Sequence, residues 1–354
     1  MTTTSETALK SVPNIRGLDV GRVTFRKTLV ACSLLLGTLL IAILVTSLFG
    51  SEPLPTRASI CAIASLGQSS CGLTPDQYAI LLQIRLPRIL LAAAVGASLA
   101  AAGASYQALL RNPLAEPYLL GVSNGAAVGT MIALVFFGSW EWSRPLMAFT
   151  GALASTFLVY RLAQSRAGAS PERLILSGVI VTTFLSSAIV FVTTLMDATR
   201  IRSFTFWLLG DLSGTTTSLL ALAMIVAVLG TAVLSANARS LNLLMLGERD
   251  AFDLGVEVSK VRLIIFFVAS MLVGSSVASS GSVGYVGLVV PHLVRLSLGS
   301  DNRITVPAAA FAGALFVVVA DTVARTIIAP RELPVGAITA LIGAPLFVYL
   351  LKRG

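Results

Sequence analysis

Charge is what this sequence has least of. Of its 354 residues only 12% are Asp, Glu, Lys or Arg, while 56% are hydrophobic and the mean hydropathy is +0.89. A soluble domain carries roughly 25% charged residues, so this chain cannot coat a water-exposed globule of its size. Soluble enzymes, nucleic-acid-binding modules and disordered scaffolds are excluded on that ground. Histidine is nearly missing as well: His292 stands alone, so the common His-rich metal constellations cannot be assembled and no metal site is expected. His292 reads as a buried structural histidine rather than a ligand. No Gly-Lys dipeptide occurs, which removes the Walker A phosphate loop and, with it, ATP hydrolysis by this chain.

Carboxylates inside the apolar stretches reduce to Asp321, four residues before Arg325. That spacing puts both on one helix face, where a local ion pair is the simplest reading. An ion-coupled carrier needs several buried ionisable groups to hold its driving ion. A membrane-embedded enzyme needs clustered acids, His or Ser. Neither set is here. Cysteine is scarce too, at three; Cys61 and Cys71 share one loop, where a bridge and two unpaired small residues both remain open.

What the chain has in abundance is apolar runs. Windows of about 20 residues give ten spans, near 28–49, 86–107, 118–137, 146–163, 174–196, 217–235, 261–281, 284–298, 305–325 and 335–351. The windows at 118–137 and 284–298 are glycine-rich or short. The expected class is therefore all-α, a polytopic membrane protein, with residues 1–27 a polar and basic segment and 28–354 one transmembrane domain. The first apolar run, Thr28 to Phe49, exceeds the roughly 7–15 residues of a signal core, so it is expected to stay as a span. With an inside N-terminus, 17 of the 25 Lys and Arg residues fall on the inner side. The positive-inside rule then places both termini in the cytoplasm. Shifting the sequence by 178 residues lays Gly96, Ser98, Gly103, Pro113, Leu120 and Gly121 on Gly274, Ser276, Gly281, Pro291, Leu298 and Gly299. This is a candidate inverted repeat of spans 2–5 and 7–10, an arrangement used by transporters.

The longest charged inner segment lies between spans 6 and 7. Two glycines, Gly247 and Gly255, bracket a short acidic turn of helix: Glu248 and Asp250 suit its N-terminus and Gly255 its C′ position. Phe252 and Leu254 offer an apolar anchor to a partner's groove. A helix resting on headgroups is the alternative, but anionic lipid repels its acidity.

Several motifs now align with a known family: Arg85-Leu86-Pro87-Arg88, Asn112-Pro113-Leu114-Ala115-Glu116-Pro117, Leu120-Gly121-Val122-Ser123-Asn124-Gly125-Ala126, Leu246-Gly247-Glu248, Gly284 to His292, Glu332-Leu333-Pro334-Val335-Gly336 and Gly343-Ala344-Pro345. In this order, covering most of the chain after residue 80, they resemble the permeases that import iron–siderophores, haem and vitamin B12 (FecCD/BtuC type). The resemblance implies a type II ABC importer permease in the cytoplasmic membrane. It would work with a second permease subunit, two ATPase subunits that hold ATP and Mg, an external binding protein and the surrounding lipid. No cofactor is implied in this chain itself.

By position, Leu246, Gly247, Glu248, Ala251, Phe252, Leu254 and Gly255 match the family's ATPase-coupling helix. Arg85, Arg88 and Arg325 match outer-face arginines that pair with glutamates of the binding protein. Ser170, Pro171 and Glu172 fall at the inner gate, although Pro171 and Glu172 depart from the small hydroxylated residues of the vitamin B12 importer. Ser123 and Asn124 are expected to line the pathway. An iron chelate is the expected cargo, with vitamin B12 or haem as the alternatives.

Overall fold

The computed structural model of the protein describes residues 25–353, apart from 51, 66, 138, 139, 141 and 166–168. Most of the 1–27 segment therefore lies outside the described residues. No strand occurs among the described residues. Fifteen α-helices follow one another: α1 (Phe25–Leu48), α2 (Thr56–Ala64), α3 (Pro75–Ala79), α4 (Leu86–Leu109), α5 (Val122–Phe136), α6 (Ser143–Ala163), α7 (Pro171–Thr193), α8 (Ala198–Leu208), α9 (Thr217–Ala236), α10 (Ala238–Leu246), α11 (Glu248–Asp253), α12 (Val258–Ser280), α13 (Val286–Leu298), α14 (Asn302–Thr326) and α15 (Val335–Arg353). A π-helical turn, Ile80–Arg85, makes α3 and α4 one continuous helix.

Seven of these helical runs are long and apolar enough to cross a bilayer; α5, α13 and α15 are shorter apolar helices. All ten coincide with the expected windows. At 1.5 Å per residue α5 and α13 span only about 20 Å, against a hydrocarbon core of about 30 Å. Irregular backbone, residues 110–121 before α5 and 281–285 before α13, covers the shortfall.

Helix α4 is the axis of the molecule: 20 of its 24 residues are buried, and α14, α12, α9 and α13 pack around it. Its sequence is largely Ala, Gly and Ser. Lipid supplies no hydrophobic force between helices, so association depends on close backbone approach, which small residues permit. Gly96 faces Gly313 of α14, and Gly103 faces Gly287 of α13; a Cβ at either position would overlap a carbonyl of the facing helix. Gly125 and Gly151 do the same between α5 and α6. Helix α1 lies outside this core, with Leu29, Leu34, Leu40 and Ile41 exposed, as a lipid-facing helix should be.

Two expectations need correction. The 178-residue shift does not pair equivalent positions: Pro113 lies in the link after α4 but Pro291 lies inside α13, and Gly121 caps the start of α5 while Gly299 caps the end of α13. The links differ in length, 110–121 after α4 and 281–285 after α12, so one shift cannot serve both. His292 is half-buried rather than enclosed. The loop cysteines are bridged, Cys61 to Cys71, with their Cα atoms 5.9 Å apart.

Candidate functional site

The short helix α11 stands proud of the bundle. Glycines set both of its ends: Gly247 at φ 151° before it and Gly255 at φ 86° after it, backbone regions that side chains resist. Glu248 and Asp250 fill its first turn, where the helix dipole favours negative charge. Phe252 and Leu254 project outward at 70% and 61% exposure, beside Leu246 at 65%. Ala251 does not join them. It is fully buried against the chain, so its expected contact with a partner is corrected: it seats α11 and leaves its neighbours to face outward.

Beneath α11 lies a brace of charges. Glu248 Oε1 is 2.5 Å from Arg262 Nη2 at the start of α12 and 4.0 Å from Arg111 Nη2 at the end of α4. Arg111 Nε also donates to the Leu244 carbonyl of α10, 2.8 Å away. On the other side of α10, Asn242 donates to Asp301 Oδ1 (2.7 Å) and accepts from the Asn302 amide (2.9 Å), tying α10 to the start of α14. Partial burial works to raise the Asp301 carboxyl. Hydrogen bonds from the Arg303 side chain and backbone and from Asn242 outweigh it and hold the group below the ordinary Asp range.

The expected gate residues sit along α7. Ser170 caps its N-terminus by accepting from the Arg173 amide, Pro171 is buried at the first helical position, and Glu172 is exposed in the first turn. Asn124 is held against the middle of the same helix, donating to the Thr182 carbonyl (3.0 Å) and Ser186 Oγ (2.7 Å). Ser123 instead points to Ser282 Oγ, 3.4 Å away. The two halves of the expected pathway are thus joined by α7, not by direct contact.

At the other end of α4 the three expected docking arginines converge, and all are buried. Arg88 Nε and Arg325 Nε clamp the two oxygens of Asp321 at 3.0 and 2.9 Å, and Arg88 Nη1 reaches Glu332 Oε2 at 2.6 Å. Arg85 donates to the carbonyls of Ser47 (3.0 Å) and Glu52 (2.8 Å). The Asp321–Arg325 pair read from the i,i+4 spacing is present. All three guanidinium groups have partners within the chain, as enclosed charges require.

Sequence reasoning passed over the polar groups that close the irregular segments. Within the span of a membrane, backbone amides and carbonyls need protein partners. Tyr118 Oη donates to the Val283 carbonyl and accepts from its amide, both at 3.0 Å, and Glu116 Oε1 accepts from the Tyr285 amide at 3.1 Å. Gln107 Nε2 donates to the Gly287 and Leu288 carbonyls at 3.2 Å. Glu116 was visible as part of a motif; its bond to Tyr285, 169 positions away, was not.

Helix α11 thus presents Leu246, Phe252 and Leu254 outward, and its Glu248 is tied into the bundle through Arg262 and Arg111. The model of the FecCD transport family matches residues 34–353. The chain belongs to that family. Among relatives of this FecCD permease, the cobalamin import system permease protein BtuC of Halobacterium salinarum is 44% identical over 281 residues, 79% of this chain and 75% of its own length. The hemin transport system permease protein HmuU of Yersinia pestis is 41% identical over 280 residues, 77% of this chain and 83% of its own. A solved structure described as an inward-facing metal-chelate type ABC transporter superposes with a TM-score of 0.78 at 31% identity, covering 94% of this chain and 100% of that one. The FecCD chain is thus a multi-pass permease of the type II ABC importer kind.

Proposed function

We propose that the FecCD chain is one permease subunit of an ATP-driven importer for a large metal chelate, an iron chelate first. The observation that carries the reading is α11: an acidic, glycine-bracketed helix with two apolar side chains presented to a partner and a charge brace behind it. Helix α11 enters a groove on an ATPase subunit, which binds ATP and Mg and supplies the driving energy. A second permease subunit completes the pathway, with α7 at its wall and Ser170, Pro171 and Glu172 at its inner end. Both termini face the cytoplasm. An external binding protein docks on the outer face, where Arg85, Arg88 and Arg325 act as positioning groups that hold the helix ends in register rather than as free counter-charges. Selection by that binding protein explains why the spans carry so few polar groups of their own.

Cobalamin is the second reading, favoured by the 44% identity to a cobalamin permease. Competitive uptake decides between them. Cells with and without the gene are given radiolabelled ferric siderophore, haemin or cobalamin, in ATP-replete and de-energised states. Loss of ferric siderophore uptake on deletion, with ATP dependence, is the expected result, and loss of haemin uptake alone keeps the mechanism with haem as the cargo. Loss of cobalamin uptake alone keeps the mechanism and changes the cargo; uptake that survives ATP depletion and follows an ion gradient refutes the importer.

A further inference from the structure

Arg262 lies near the start of α12. Its side chain is only 6% exposed, and a guanidinium so enclosed is costly unless its donors are matched. The two terminal nitrogens serve different elements. Nη2 meets Glu248 at the first residue of α11, and Nη1 donates to the carbonyl of Ala169. Ala169 is itself buried and immediately precedes Ser170, the cap of α7. One side chain of α12 therefore spans from the exposed helix to the inner end of the pathway helix.

The backbone around α11 explains why such a clamp is needed. Gly247 and Gly255 are the positions where the chain turns most freely. A helix of six residues hung between two glycines would swing on them when pushed, and the push would be lost in the links. Arg111 supports the same corner at a cost of its own. It adopts φ 49°, a left-handed conformation that strains a non-glycine residue, and from there holds the Leu244 carbonyl just before α11.

We propose that Arg262 is a positioning residue that locks α11 and the inner end of α7 into one rigid lever, so that displacement of α11 arrives at Ser170–Glu172 undiminished. This rests on the import reading for its biological purpose, but the lever itself is a mechanical statement that can be tested alone. Arginine is required because its planar fork serves two acceptors in fixed directions. Lysine keeps the charge as a compact point and lacks that fork, so it cannot hold both partners in the same geometry.

The test uses the assembled complex with its ATPase subunits in proteoliposomes, with Cys32→Ser to remove the free thiol. Spin labels on Arg249→Cys and Arg173→Cys, both at exposed positions, report the distance from α11 to α7. In the otherwise native chain that distance is expected to stay the same between nucleotide-free and ATP–vanadate-trapped states. With Arg262→Lys it is expected to broaden and to change on trapping. Uptake of whichever chelate the deletion assay identifies should fall at least tenfold, while ATP hydrolysis continues. A distance that changes on trapping in the native chain overturns the lever. So does an Arg262→Lys complex whose distances and uptake match the native ones, or one whose yield, hydrolysis and uptake fall together as a purely structural tie would require. A complex that imports no chelate overturns the import reading instead, and the 249–173 distance still decides the lever.

Discussion

Replacing Asp321 with Ala tests whether the outer charge cluster holds the helix ends together. Asp321 is fully buried and accepts from two arginines, Arg88 at 3.0 Å and Arg325 at 2.9 Å. The two arginines differ in what remains to them once the carboxylate is gone. Arg88 keeps Glu332 at 2.6 Å. Arg325 keeps only long contacts, to the Phe49 carbonyl and Thr322 Oγ1 at 3.4 Å each. Removing one partner of a buried pair costs about 3–5 kcal/mol, because a charge is left enclosed and uncompensated. Most of that cost should therefore sit on Arg325. The apparent melting temperature of the purified chain should drop by roughly 5–10 °C, given a few degrees per kcal/mol for a protein of more than 150 residues. The double variant Asp321→Ala/Arg325→Ala removes the orphan as well and should regain about half of the loss, a non-additivity expected only of coupled sites. Glu332→Gln, whose side chain is 40% exposed, should cost about 1 kcal/mol or less. An Asp321→Ala chain that melts within a degree of the native one would refute the reasoning. A double variant as unstable as the single one would do the same.

Three further outcomes are expected. Gly103→Ala places a methyl against the Gly287 carbonyl in a close helix crossing, and should lower stability by about 1–3 kcal/mol, as overpacking does; folded yield and melting temperature check it, and an unchanged chain would mean the crossing is looser than described. Phe252→Asp, at a 70% exposed position, should leave the melting temperature of the isolated chain unchanged while abolishing co-purification of the ATPase subunit. Asp301 is held below its unfolded value of about 3.9, so the stability it contributes is complete above that pH and is lost as the pH falls through the lower folded value. Melting measured from pH 6 down to pH 3 should therefore fall less steeply in Asp301→Asn than in the native chain.

The sequence made the ten apolar windows legible because each is a composition signal, local to about 20 residues. Helix α11 was legible for a related reason: its two glycines, its acidic first turn and its apolar tip all lie within nine positions. What local reading missed were the bonds that cross the chain. Arg262 was one basic residue among many until the fold set it between Glu248 and Ala169. Arg85 and Arg88 fell at the start of an apolar window, and no local signal named their partners within the chain. The π-helical turn before α4 carries that helix on through Arg85, which meets the carbonyls of Ser47 and Glu52, while Arg88 is enclosed by Asp321 and Glu332. Ala251 went astray through a one-turn helix whose inward face cannot be told from its outward face by hydrophobicity when both are apolar.

The distribution of charge through the fold sets where this permease can bend. At the N-terminal end of α4, Arg85 of the preceding turn meets the carbonyls of Ser47 at the end of α1 and of Glu52 after it, Arg88 ties α4 to α14 and to the Glu332 segment, and Arg325 reaches the Phe49 carbonyl. The Asp321 contacts to Arg88 and Arg325 are buried ion pairs that join α4 to α14, while the end of α1 is held by hydrogen bonds to backbone carbonyls. Through the middle, Gly96–Gly313 and Gly103–Gly287 hold α4 against its neighbours at backbone distance, where packing is too close to slide. Helix α11 is bounded directly on both sides by glycines at positive φ, Gly247 and Gly255, and in the lever proposed above Arg262, with Arg111 beside it, keeps it from swinging on them. A push at α11 therefore meets a bundle that is fixed at its outer end and along its axis. In the import reading proposed above, the inner end of α7 is where such a push is delivered, since its tie to α11 runs through Arg262 and not through the contacts at the far end of α4.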